Sequence, residues 1–149
     1  MLSSALIAFG HFLAFFSLSA ALVLELALIC ESPSVESARR IRRADRAAGL
    51  FALMILVFGL LRVFYFGHGA DFYFGNSFFW LKMSLFVGVA LLSIYPTLCF
   101  MRWGKCLDRG EAPALSALSA KALRRVIHTE LFGIGLILLC ASLMARGIG

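Results

Sequence analysis

The chain has 149 residues, 62% of them apolar and only 15% charged, and a formal net charge of +6. That balance excludes an ordinary water-soluble domain and leaves no polar segment long enough to form one beside it. A hydrocarbon core about 30 Å thick takes roughly 20 apolar residues per helix, so the whole of residues 1–149 reads as one membrane domain, an all-α four-helix bundle.

The first span is predicted over Leu2 to Ile29. It lacks a basic n-region and outruns the roughly 7–15-residue core of a signal peptide, so it reads as a retained helix. His11, Leu18 and Glu25 recur every seven residues and share a face, with His11 toward one end and Glu25 toward the other, about 20 Å away. Ser32-Pro33-Ser34 ends this span, and Ser37-Ala38-Arg39-Arg40 is expected to open a short amphipathic segment at the membrane surface. The same link carries Arg42, Arg43 and Arg46. The second span, Ala47 to Phe66, places Arg62 near its far end. A glycine-punctuated aromatic turn follows, Gly67 to Ser77, with His68 and Asp71 but neither Lys nor Arg. The third span, Phe78 to Met101, opens with Trp80 and Lys82; Tyr95-Pro96 is expected to kink it, next to Thr97. A second basic link holds Arg102, Lys105, Arg109, Lys121, Arg124 and Arg125, and Gly110-Glu111-Ala112-Pro113 interrupts it. In the fourth span, Val126 to Met144, His128 and Glu130 stand about 200° apart, so at most one of them faces the bundle squarely. Gly133 and Ala141 lie on the side of Glu130, and small residues let helices approach closely.

Lys and Arg are held on the cytoplasmic side. Both basic links therefore belong inside, with the N and C termini and the aromatic turn outside, in a multi-pass membrane protein. Topology and anionic headgroups account for the positive charge, with no nucleic-acid partner. The outer half collects His11, Arg62 and Lys82 beneath His68 and Asp71. Two cations at one depth repel, and Asp71 is the nearby acid. Either the cations snorkel to headgroups, with Tyr65, Tyr73 and Trp80 as an aromatic belt, or a ligand supplies the missing anion. A tetrapyrrole meets the second need: its flat ring suits apolar walls, its propionates suit Arg62 and Lys82, and His11 can ligate iron, with His68 as a candidate second ligand. The absence of CxxCH excludes covalent attachment and leaves haem b.

The inner half collects Glu25, Tyr95, Thr97, His128 and Glu130 near the link arginines, either as interfacial anchors or as a polar path. Nearly all of the chain between the two clusters is apolar, so a path across it is expected to need an oligomer or a file of water. Cys30, Cys99 and Cys106 toward the inside and Cys140 toward the outside show no CxxC spacing; they read as packing residues in preference to a soft-metal site with Met101. No Ser-His-Asp triad, phosphate loop or paired-carboxylate pattern assigns a catalytic residue.

The run from Arg62 to Trp103, with RVFYFGHG, DFYFGNSFFWLK and SIYPTLCFMRW, together with His11 and Glu25, resembles a family of small four-span bacterial membrane proteins known as domain of unknown function 2214. The likeness covers essentially the whole chain and implies membership without an activity. A more distant resemblance joins His11, Trp80-Leu81-Lys82 and Arg125-Val126-Ile127-His128-Thr129-Glu130 to the haem-binding bacterial membrane protoporphyrinogen oxidase family, and the helical plan is similar to copper-resistance membrane domains. That oxidase family closes its first span with an arginine and a histidine, where this chain reads LELALICES with Glu25. The resemblance thus implies the scaffold and the haem, not the reaction. If the protein is an enzyme, the expected chemistry is redox on a tetrapyrrole or quinone. The alternatives are a non-catalytic accessory or assembly subunit of a larger membrane complex, and a small metal-ion or proton-coupled transporter using Glu25, Glu130 and His128. Besides the lipid bilayer, a homodimer and a larger membrane complex stay open as partners.

Overall fold

The computed structural model describes residues 2–29, 33–67 and 69–148. Its elements are α1 (Leu2–Leu28), α2 (Val35–Leu61), a π-helical turn (Arg62–Phe66), α3 (Ala70–Phe74), α4 (Ser77–Arg102), α5 (Gly104–Asp108) and α6 (Ala117–Ala145), with no strand among the described residues. Helices α1, α2, α4 and α6 are each long and apolar enough to cross a bilayer.

Two of these helices reach well beyond the apolar runs. α2 begins at Val35, so the arginines expected in a separate surface segment form its first turns. Ser34 starts it as N-cap, its hydroxyl accepting from the Ser37 N–H at 3.2 Å. Alanine and arginine then favour helix strongly enough to carry it into the span. α6 repeats the device at the other link: the Ser116 hydroxyl accepts from the Ser119 N–H at 3.2 Å. Asn76 caps α4 through the Phe78 N–H at 2.9 Å. Pro96 lies buried within α4, which continues through it to Arg102 although the Leu92 carbonyl loses its helical donor there.

The helices pack as two antiparallel pairs, α1 along α2 and α4 along α6, and the pairs meet more sparsely through α1 with α6 and α2 with α4. Glycines set the close approaches within each pair. A Cβ at Gly10 would lie 2.8 Å from the Phe58 ring, and one at Gly133 would lie 2.5 Å from Val89. The buried centre runs from Ala14 and Leu18 through Ile41 and Phe100 to Leu123 and Ile127. On the outer surface Phe9, Phe12, Phe16, Leu91 and Phe132 are each more than half exposed. In water these faces would aggregate; against hydrocarbon they are the solvated surface.

Ser4 and Ile148 lie at one end of the bundle with the aromatic turn. Ser4 donates to the Phe66 carbonyl at 2.8 Å, and Asn76 donates to the Ile148 carbonyl at 3.3 Å. The basic links gather at the opposite end, inner by the expected orientation, where Arg39 donates to the Leu107 carbonyl at 3.0 Å and Arg124 to the Ile29 carbonyl at 3.1 Å. These arginines thus tie the two links together.

Candidate functional site

Sparse packing between the helix pairs leaves two adjoining cavities in the outer half, of about 240 and about 360 Å³. Both are lined by His11, Phe15, Gly59, Val63, Lys82 and Ile137. The pair falls within the roughly 300–1,000 Å³ usual for small-molecule sites. His11 stands on α1 with its ring edge-on to Phe15 at 5.3 Å between centroids. Gly59 makes room for it, since a Cβ there would meet the imidazole Cε1 at 3.5 Å. The ring has the Ile55 backbone as a hydrogen-bonding neighbour, while Nδ1 is buried and has no partner among the described residues.

Arg62, from the π-helical turn after α2, and Lys82, from α4, approach the same chamber, and both are within electrostatic reach of His11. The ion pairs found among the described residues are Arg40–Glu36 and Arg109–Glu111, both at the basic links, so neither Arg62 nor Lys82 has a carboxylate there. Asp71, the acid expected near them, lies exposed in the first turn of α3. The Lys82 ammonium instead sits 5.1 Å from the centroid of the Phe79 ring. Arg62 opens the π-helical turn, which needs Gly67: a Cβ there would collide with the Arg62 carbonyl and the Tyr73 hydroxyl. Above the chamber, Trp80 stacks on Phe74 at 5.9 Å and donates to its carbonyl at 3.1 Å. Tyr73 is buried in this cap, whereas Tyr65 and Trp80 are more than half exposed, as belt residues are. His68, the candidate second ligand, lies outside the described residues.

The inner half holds a third and smaller cavity of about 90 Å³. Glu25 from α1, Asp45 from α2, Thr97 from α4 and Glu130 from α6 line it. Glu25 is 1% exposed and Glu130 0%. One oxygen of Glu25 and both of Glu130 have no hydrogen-bond partner among the described residues. Asp45 is half-buried and accepts from the Thr97 hydroxyl at 2.6 Å. Tyr95 and His128, grouped with these residues by depth alone, are exposed and line none of the cavities described; the His128 Nδ1 lies 2.7 Å from the Arg124 carbonyl on its own helix.

Sequence reasoning missed Asp45. It stands among the arginines of the first link, yet Ile41 and Ala48, four residues before and three after it, mark the buried stripe of α2. The apolar middle is also thinner than the spacing of His11 and Glu25 implies. Phe15, Phe86 and Ile137, one from each of three helices, line both the outer chamber and the inner pocket. Cys99 and Cys106 are partly buried and Cys140 buried, all as free thiols, and Cys30 lies outside the described residues. Among the described residues no three His, Cys, Asp or Glu side chains are placed to hold a metal ion.

Four apolar helices that pack as two pairs and enclose polar side chains define a polytopic helical membrane protein. The chain belongs to the family described as predicted membrane protein (DUF2214), whose model matches residues 3–149. No curated protein and no solved structure matches it. The likenesses to the protoporphyrinogen oxidase and copper-resistance families therefore rest on the residues quoted above and have no further support.

Proposed function

We propose that the protein, seated in the bacterial inner membrane with both termini outside, binds haem b or a related tetrapyrrole in its outer chamber. The observation that carries this reading is the buried, unpartnered His11 Nδ1 on a chamber whose other ionisable groups, Arg62 and Lys82, are cations without acids. A buried nitrogen left without a donor or metal is costly, and so is a cation in the membrane without an anion. A flat apolar ring with an iron centre and carboxylate substituents answers both at once. In this reading His11 would ligate the iron, Arg62 and Lys82 would hold the propionates, and Phe15, Phe86 and Ile137 would form the apolar floor. Bound haem supplies one-electron chemistry, and the chain's own residues bind it, orient it and keep water from it.

The test is the visible spectrum, oxidised and dithionite-reduced, of protein purified in mild detergent from haem-replete cells. A Soret band with reduced α and β bands at near-stoichiometric occupancy is expected. A bare protein spectrum that persists after reconstitution overturns the proposal and moves the assignment to an accessory subunit, which stoichiometric co-purifying partners would identify. Orientation has its own check: modification of Cys106 from outside intact cells would reverse it.

A further inference from the structure

We infer that the inner pocket is an exchangeable proton site, in which Glu25 and Glu130 carry protons taken from the inner aqueous side by way of Asp45. Three independent features of the pocket carry this. Its two innermost carboxyls are buried, come from different helices and leave three oxygens without a hydrogen-bond partner among the described residues. Neither has a Lys or Arg ion-pair partner among the described residues. The cavity between them, about 90 Å³, exceeds several-fold the roughly 10–15 Å³ needed to admit one water.

The charge balance then selects the ligand. Glu25, Asp45 and Glu130 lie within electrostatic reach of one another, and neighbouring buried carboxylates cannot all ionise unless a cation joins them. Arg42 and Arg46 lie within electrostatic reach of Asp45, and neither lines the pocket. On α6, Arg124 is engaged with the Ile29 carbonyl, and α4 contributes the uncharged Ser93 and Thr97. His128 and Tyr95 point out of the bundle. Among the described residues no three His, Cys, Asp or Glu side chains converge as metal ligands require. Protons are the cations that need no such convergence, because each binds a single oxygen. Asp45, half-buried where the apolar run of α2 begins, is the member that reaches water. Phe15, Phe86 and Ile137 close the pocket on its outer side.

This site is separate from the outer chamber, and its test needs no haem. Infrared spectra of the cofactor-free protein in detergent should show, at neutral pH, the C=O stretch of protonated carboxyl groups. Part of that band should vanish in Glu25→Gln and part in Glu130→Gln, with helicity and melting unchanged. In D2O it should shift during a single buffer exchange, and the shift should slow at least tenfold in Asp45→Asn. Absence of the band, or a band that fails to shift over a day in D2O, overturns the proposal, the latter because the protons would be sealed in. A band abolished at constant pH by adding Na+, Mg2+ or Ca2+ also overturns it, in favour of a metal cation.

Discussion

The outer and inner halves of this bundle are electrostatic opposites. Among the described residues, the outer chamber is lined by two cations and a histidine and no acid, and the inner pocket by three carboxyl groups and no cation. These groups could neutralise one another, yet the layer of Phe15, Phe86 and Ile137 keeps them apart. Charge held unpaired in a membrane is expensive, and it is tolerated where something else arrives to balance it. An anion-bearing ligand outside and protons inside are the complementary answers.

The largest effect that would break this contrast is at His11. His11→Ala is expected to lower haem occupancy about a hundredfold, roughly 2.7 kcal/mol of binding, as read from the Soret band per protein. The inner carboxyl band should be unchanged, since Phe15 and two further residues lie between the sites. Retention of full occupancy would remove the axial ligand from the proposal. Next in size is a change that should disturb both halves alike. Gly133→Leu forces a side chain onto Val89 and is expected to destabilise the α4–α6 pair by about 1–3 kcal/mol, seen as a lower melting temperature in detergent. An effect confined to one half would show that the helix pairs respond separately.

The spans were legible in the sequence because an apolar run about 20 residues long has few other readings. The inner helical turns of α2 and α6 were not: they are rich in arginine, and polarity marks where the membrane ends, not where the helix does. Burial at Glu130 and exposure at His128 follow from helical phase, which the sequence states directly. Tyr95 shows the limit of depth as a guide, since it sits beside buried Pro96 yet faces outward. The voids were invisible for a different reason. Cavities depend on how sparsely two helix pairs meet, a property of four surfaces together that no single stretch of chain records.

A smaller effect should divide the two outer cations. Arg62→Ala is expected to weaken haem binding about tenfold, near 1.4 kcal/mol, and Arg62→Lys to recover most of it if charge is the requirement. Lys82→Ala should cost a similar amount, and its Phe79 contact cannot substitute for an anion. Were either alanine variant to bind haem as well as the parent, that residue would belong with the headgroups and not with the chamber.

The smallest expected effect concerns the other half alone. Thr97→Val keeps the shape of the side chain but removes the hydroxyl that donates to Asp45 at 2.6 Å. A hydrogen bond to a charged, half-buried acceptor is worth about 1–2 kcal/mol, discounted toward the lower figure here because Asp45 retains access to water and to Arg42 and Arg46. Loss of stability by about 1 kcal/mol with unaltered haem occupancy is the expected pattern. The same variant should alter the rate at which the carboxyl band shifts in D2O, because Asp45 is freed to turn. Equal losses in both readouts would mean that the apolar layer transmits strain between the halves, and the two sites would then have to be treated as one coupled system.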